Sequence, residues 1–89
     1  MNDVLFKTTG VTKTLAPMNG SHYTLTELQS FVDGPVEFVH FGSQVLVVNE
    51  EGKLRGLMPN RLATDWVISH NYCELIVGNA AVIQRRHLK

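Results

Sequence analysis

Two β-prone runs, VEFVHF (36–41) and QVLVVN (44–49), are joined by only Gly42-Ser43, and this restricts the fold more than any other feature. A two-residue loop containing glycine supplies the backbone twist that closes flanking strands into an antiparallel hairpin. In the first strand Val36, Phe38 and His40 share one face, and Glu37, Val39 and Phe41 share the other. Both faces are partly apolar. The pattern therefore predicts a central hairpin, with helices on one side and a partner or second layer on the other.

The flanking segments extend this scheme. Val4 to Thr8 and Val11 to Leu15, separated by Thr9-Gly10, predict a second hairpin that Pro17 ends. Met18 to Tyr23 reads as a loop. Thr24-Leu25-Thr26-Glu27 matches a capping box, in which the Thr24 hydroxyl accepts from the Glu27 amide and the Glu27 carboxylate accepts from the Thr24 amide. The helix that starts there carries Leu25, Leu28, Phe31 and Val32 on one face, and Gly34-Pro35 is expected to stop it with glycine as the left-handed cap. Glu50-Glu51-Gly52-Lys53 turns the chain, and Leu54 to Met58 is a candidate for brief further pairing. From Pro59, PNRLATDWVI predicts a second short helix with Leu62, Trp66, Ala63 and Val67 inward, broken at Ser69-His70-Asn71. LIVG and then NAAVIQ are β-prone around Gly78, as two short strands or one bent strand. The order β-β-α-β-β-α-β, connected by hairpins, predicts an α+β fold on a mainly antiparallel sheet, with two short helices packed on one face.

At 89 residues the chain is expected to form a single domain over residues 1–84, followed by a short basic C-terminal tail, 85–89. Hydrophobic residues at 44% and charged residues at 18% are those of a globular domain with apolar surface to spare, which predicts a homo-oligomer. Eight Lys and Arg balance eight Asp and Glu. Without an overall field, nucleic acid is an unlikely partner, and Arg85, Arg86 and Lys89 are too few for a DNA arm. The single cysteine, Cys73, fits a reducing cytoplasm and reads as a small buried hydrophobe. The N-terminus lacks a basic, long apolar leader, and no apolar run nears the roughly 20 residues that span a bilayer. A soluble cytoplasmic protein is the expectation.

Asn49, Glu50, Glu51, Lys53, Arg55, Asn60 and Arg61 fall within the seventeen positions Val45 to Arg61, VLVVNEEGKLRGLMPNR. With G-P-V-E-F-V before it and IVGNAAVI after it, this segment resembles a family of small uncharacterised proteins from bacterial plasmids, conjugative elements and phages, known as a domain of unknown function. The matching positions are Asn49, Glu50, Gly52, Lys53, Leu57, Asn60, Ile76 and Gly78, within a resemblance covering about Leu25 to Ile83. The short hairpin around His40 to Ser43 departs from the pattern. The resemblance implies a fold and a mobile-element setting, and no catalytic residue.

Glu50 and Glu51 are adjacent, so on an extended backbone their carboxylates diverge, and a solvated turn explains them better than paired acid and base. Gly52-Lys53 lacks the rest of a phosphate loop. Asn60 and Arg61 at a helix start make a possible anion site, weighed against an ordinary cap and a surface arginine. In that sharper reading Lys53, Arg55 and Arg61 face a ligand's negative groups, and Trp66 or Tyr72 stacks on its base. His22, His40, His70 and His87 are scattered, and His70 with Cys73 makes neither a zinc site nor a catalytic dyad. No metal, cofactor or catalytic residue is expected, and the chain is read as a non-enzyme.

The candidate binding residues are thus Asn49, Glu50, Lys53, Arg55, Asn60, Arg61, Trp66 and Tyr72. The leading expectation is a non-enzymatic binding or accessory protein of a mobile element or phage, acting on a host or phage protein, with a possible role against host defence. The alternative is an oligomer that sequesters an anionic small molecule such as a nucleotide immune signal.

Overall fold

The hairpin forms with its expected bounds. A computed structural model describes residues 2–88. Its elements are β1 (Asp3–Phe6), β2 (Thr12–Leu15), α1 (Leu25–Val32), β3 (Val36–Phe41), β4 (Gln44–Asn49), α2 (Arg61–Ser69), β5 (Ala80–Gln84) and a single 3₁₀ turn, Arg85–His87. The five strands form one antiparallel sheet in the order β2-β1-β5-β4-β3. The α+β class and the element order are those read from the sequence.

The hairpin is not central, however. β3 lies on the sheet edge, and β5, the last strand, inserts between β4 and β1. The helices also do not share a face. Val45, Val47, Ala81 and Ile83 pack with Leu28 and Val32 of α1, whereas Leu46, Ala80 and Val82 pack with Ala63 and Val67 of α2. Alternate residues of β4 and β5 are apolar on both sides, so each face needs its own cover and each helix supplies one. On the face where a partner or a second layer was expected, the helix α2 is that layer.

The capping box is present at α1: Glu27 N donates to Thr24 Oγ1 at 3.1 Å, and Thr24 N donates to Glu27 Oε1 at 2.8 Å. The helix ends one residue earlier than the glycine. Asp33 takes the left-handed cap at φ 61°, ψ 40°. Gly34 is required for space instead, because a Cβ there would stand 2.7 Å from Asn49 Nδ2 and 2.9 Å from Arg55 Nη1. Leu54 to Met58 does not pair as a strand; 51–56 is a run of turns, and only Pro59 bridges Val77.

Residues 85–88, expected as a tail, are folded into the domain. Arg85 N donates to Ser43 O, Arg85 Nε to Gly42 O, and Tyr23 N to His87 O, each at 2.8–2.9 Å. Leu88 packs against the α1 side of the core. Lys89 lies outside the described residues. Cys73, expected to be buried, is exposed.

Candidate functional site

After β4 the chain makes two long irregular segments, 50–59 and 71–79, which are fastened to each other. Gly78 N donates to Met58 O at 2.7 Å and Asn60 N to Ile76 O at 2.8 Å, either side of the Pro59–Val77 bridge. Thr64 Oγ1 accepts from Ile76 N at 3.0 Å. Farther out, Lys53 Nζ meets Glu74 Oε2 at 2.9 Å and Tyr72 OH donates to Glu74 Oε1 at 2.9 Å. Lys53 and then Tyr72 hold the Glu74 carboxyl below the usual carboxylate range, and the same bond raises the Tyr72 phenol. Backbone bonds and an ion pair thus make one platform of two loops.

Two asparagines anchor it from beneath. Asn49 Nδ2 donates to Val32 O at 3.0 Å, and Asn49 Oδ1 accepts from Glu51 N at 2.7 Å, tying the first loop to the C-terminus of α1. Asn60 is fully buried: Oδ1 accepts from Ala63 N at 3.0 Å, capping α2, while Nδ2 donates to Phe6 O and Gly78 O, both at 2.8 Å. These amides are spent inside the fold. Both serve first to satisfy backbone groups of the loops and helices they join.

The two loops leave three large apolar side chains in solvent. Leu54 is 90% exposed, Met58 69% and Leu75 52%. Arg55 donates to Asp33 O at 3.2 Å, as a cation at the C-terminus of α1. Its guanidinium lines an open groove of about 230 Å³, together with Asp33, Leu57, Met58, Thr8 and Asn79. A smaller hollow of about 80 Å³ takes in Lys53, Glu74, Glu37 and Leu75. Glu50 is exposed at the first turn of the loop.

The three cations do not converge. Arg55 and Lys53 belong to different hollows, and Arg61, on the first turn of α2, lines neither. Its side chain is 92% exposed and pairs loosely with Asp65 at 3.8 Å. Trp66 and Tyr72 pack on Phe41, with Trp66–Phe41 centroids at 5.1 Å and Tyr72–Phe41 at 5.5 Å, both edge to face, and Tyr72 is linked to Lys53 through the Glu74 carboxylate. His70 stacks on Trp66 at 3.9 Å. Its Nδ1 is 2.8 Å from Trp66 O and 3.1 Å from Ser69 Oγ, so this ring closes the C-terminus of α2. An anion site built from Lys53, Arg55 and Arg61 beside Trp66 or Tyr72 is therefore not assembled.

Among the described residues no group of three or more His, Cys, Asp or Glu is placed to hold a metal ion, and no helix is long and apolar enough to cross a membrane. Leu54, Met58 and Leu75 were not among the candidate residues. Leu54 and Met58 fell in a segment read as a strand, where alternate side chains are covered. Leu54 instead falls in the run of turns and Met58 between it and the Pro59 bridge, and both side chains stay in water.

A family model described as Domain of unknown function (DUF3846) matches residues 2–87, from β1 to the 3₁₀ turn. No curated protein and no solved structure matches the chain.

Proposed function

The chain belongs to the family described as Domain of unknown function (DUF3846), and on that premise we propose that it is a non-enzymatic binding protein whose platform docks on another protein. The observation that carries this reading is the exposure of Leu54, Met58 and Leu75 on two mutually fastened loops. Isolated exposed apolar residues are ordinary, but these three stand on two loops held together by backbone bonds and the Lys53–Glu74 ion pair, with Arg55, Lys53 and Glu74 on the same loops, and a recognition patch combines apolar and polar side chains in this way. A prebuilt surface also avoids the ordering cost that flexible loops incur on binding. The resemblance of the central motif to plasmid and phage proteins supports the setting: an accessory protein of a mobile element, working in the cytoplasm on a host or phage protein, including one of host defence.

The test compares the protein with a Leu54→Asp/Met58→Asp variant as bait in lysate of a bacterial host. The expected result is one protein retained in stoichiometric amount by the first and lost by the second, at equal melting temperature. Identical capture profiles would overturn the reading.

A second reading has one observation in its favour. Among the described residues the Arg55 side chain makes one hydrogen bond, to Asp33 O, and Arg55 lines the larger of the two hollows, so sequestration of an anionic small molecule such as a nucleotide would centre there. A nucleotide panel that raises the melting temperature of the protein but not of Arg55→Ala supports it. A panel without effect removes it.

A further inference from the structure

We propose that two copies of this chain join through the outer edges of their β3 strands, antiparallel and centred on Phe38, to make one continuous ten-stranded sheet. The backbone register carries the inference. Glu50 N donates to Pro35 O at 2.8 Å, which makes 35 and 50 a hydrogen-bonded pair at the end of the β3–β4 ladder. Bonded and non-bonded pairs alternate along an antiparallel ladder. The N–H and C=O groups of Glu37, Val39 and Phe41 therefore point to β4, and those of Val36, Phe38 and His40 point out of the sheet. No hydrogen bond outside the strand ladders involves these three outward residues among the described ones.

Three outward residues spaced evenly about Phe38 form a self-complementary edge. A two-fold axis through Phe38, perpendicular to the sheet, sets Phe38 against its own copy and Val36 against His40 twice, so every outward donor and acceptor finds a partner. The same axis keeps the α1 faces on one side and the α2 faces on the other. Side chains fit this register. Phe38, 39% exposed, meets a second aromatic ring, and Glu37, the only charged residue in the strand, is set against Val39 and not against its own copy.

The two edges of the sheet differ in the way this requires. The strand β2 is four residues long, carries Lys13 and two threonines, and is exposed at three of its four positions, which are features that discourage pairing. The strand β3 has six residues in unbroken register with β4, without proline, lysine or bulge. An edge of that length and apolarity left bare is an aggregation site, and closed two-fold pairing removes it.

This inference does not rest on what the platform binds: Leu54, Met58 and Leu75 lie outside β3, and Glu37, which borders the smaller hollow, is left unchanged in the test. It is tested by sedimentation across micromolar to millimolar concentration. The protein is expected to be a dimer. Phe38→Lys sets two ammonium groups opposite each other at the axis and is expected to weaken the dimer by about 100-fold. Phe38→Pro removes an outward N–H, a change a sheet edge tolerates, and is expected to give a folded monomer. In a Cys73→Ser background, Phe38→Cys is expected to form an intermolecular disulfide on oxidation, and Lys13→Cys on β2 is not. A protein monomeric throughout, a dimer unaffected by Phe38→Lys, or equal cross-linking from both cysteines would overturn the proposal.

Discussion

Asp3 and His87, 84 positions apart, meet at 2.6 Å where the His87 Nδ1–H donates to Asp3 Oδ2. The same carboxylate accepts from Tyr23 OH at 2.6 Å and from Gln84 N at 2.8 Å, with Asp3 only 2% exposed. Burial, and then the bond to Asp3, pushes the Tyr23 phenol far above its usual range. A buried carboxylate is tolerated only when its lone pairs are taken up, and here the first strand, the loop before α1 and the final turn all contribute. This one residue closes the N- and C-terminal ends of the fold.

Asp3→Ala is expected to cost about 2–4 kcal/mol, because it leaves the Tyr23 hydroxyl and the Gln84 amide without their acceptor. Tyr23→Phe removes one of three donors and is expected to cost about 1 kcal/mol. Urea denaturation of the three proteins checks the order. Equal stabilities would show that the network contributes nothing net.

Asn60 has the same character in the second half of the chain. Asn60→Ala loses the α2 cap and removes the donor to the part-buried Phe6 and the buried Gly78 carbonyls, for an expected loss of about 2–3 kcal/mol. Asn60→Asp keeps the cap acceptor but turns a carboxylate toward those two carbonyls. It is expected to be no better than alanine at neutral pH. A measured stability for Asn60→Asp close to that of the parent would contradict the assigned amide orientation.

Gly34→Ala is expected to destabilise by about 1–3 kcal/mol through overpacking. The Arg55 end can swing away, but the Asn49 amide is held at both ends by Val32 O and Glu51 N. Arg55→Ala in the Gly34→Ala background should therefore restore little, which a thermal melt of the double variant reads directly.

The bonds from the Thr24 and Met18 amides hold the Glu27 carboxyl below the usual carboxylate range. A folded-state pKa below the unfolded one gives stabilisation that is present above the unfolded value, near 4.3, and is lost as pH falls through the folded value. Glu27→Gln keeps a capping-box geometry without the charge. The protein is expected to be the more stable of the two at neutral pH, and the difference to vanish in acid. A pH-independent difference would refute the charge contribution.

Much of the fold was legible because it is local. The Gly42-Ser43 turn, the Thr24–Glu27 box and the 3.6-residue spacing before Asp33 each act within a few residues, so β3, β4 and α1 could be bounded from the sequence. The candidate site was less legible. Val45 to Arg61 was singled out by its polar side chains, yet Asn49 and Asn60 are polar so that buried backbone can be satisfied, and the residues left in solvent include Leu54 and Met58.

Local pattern alone determined that this chain makes two β-hairpin signals, two short helices and an antiparallel sheet, because caps, turns and side-chain alternation are short-range properties. Tertiary structure alone decided that β5 enters between β4 and β1, that the helices take opposite faces, and that Asp3 finds His87. Those outcomes depend on which distant backbone and side-chain groups share a buried volume. Residue type and spacing carry no record of that until the chain has closed.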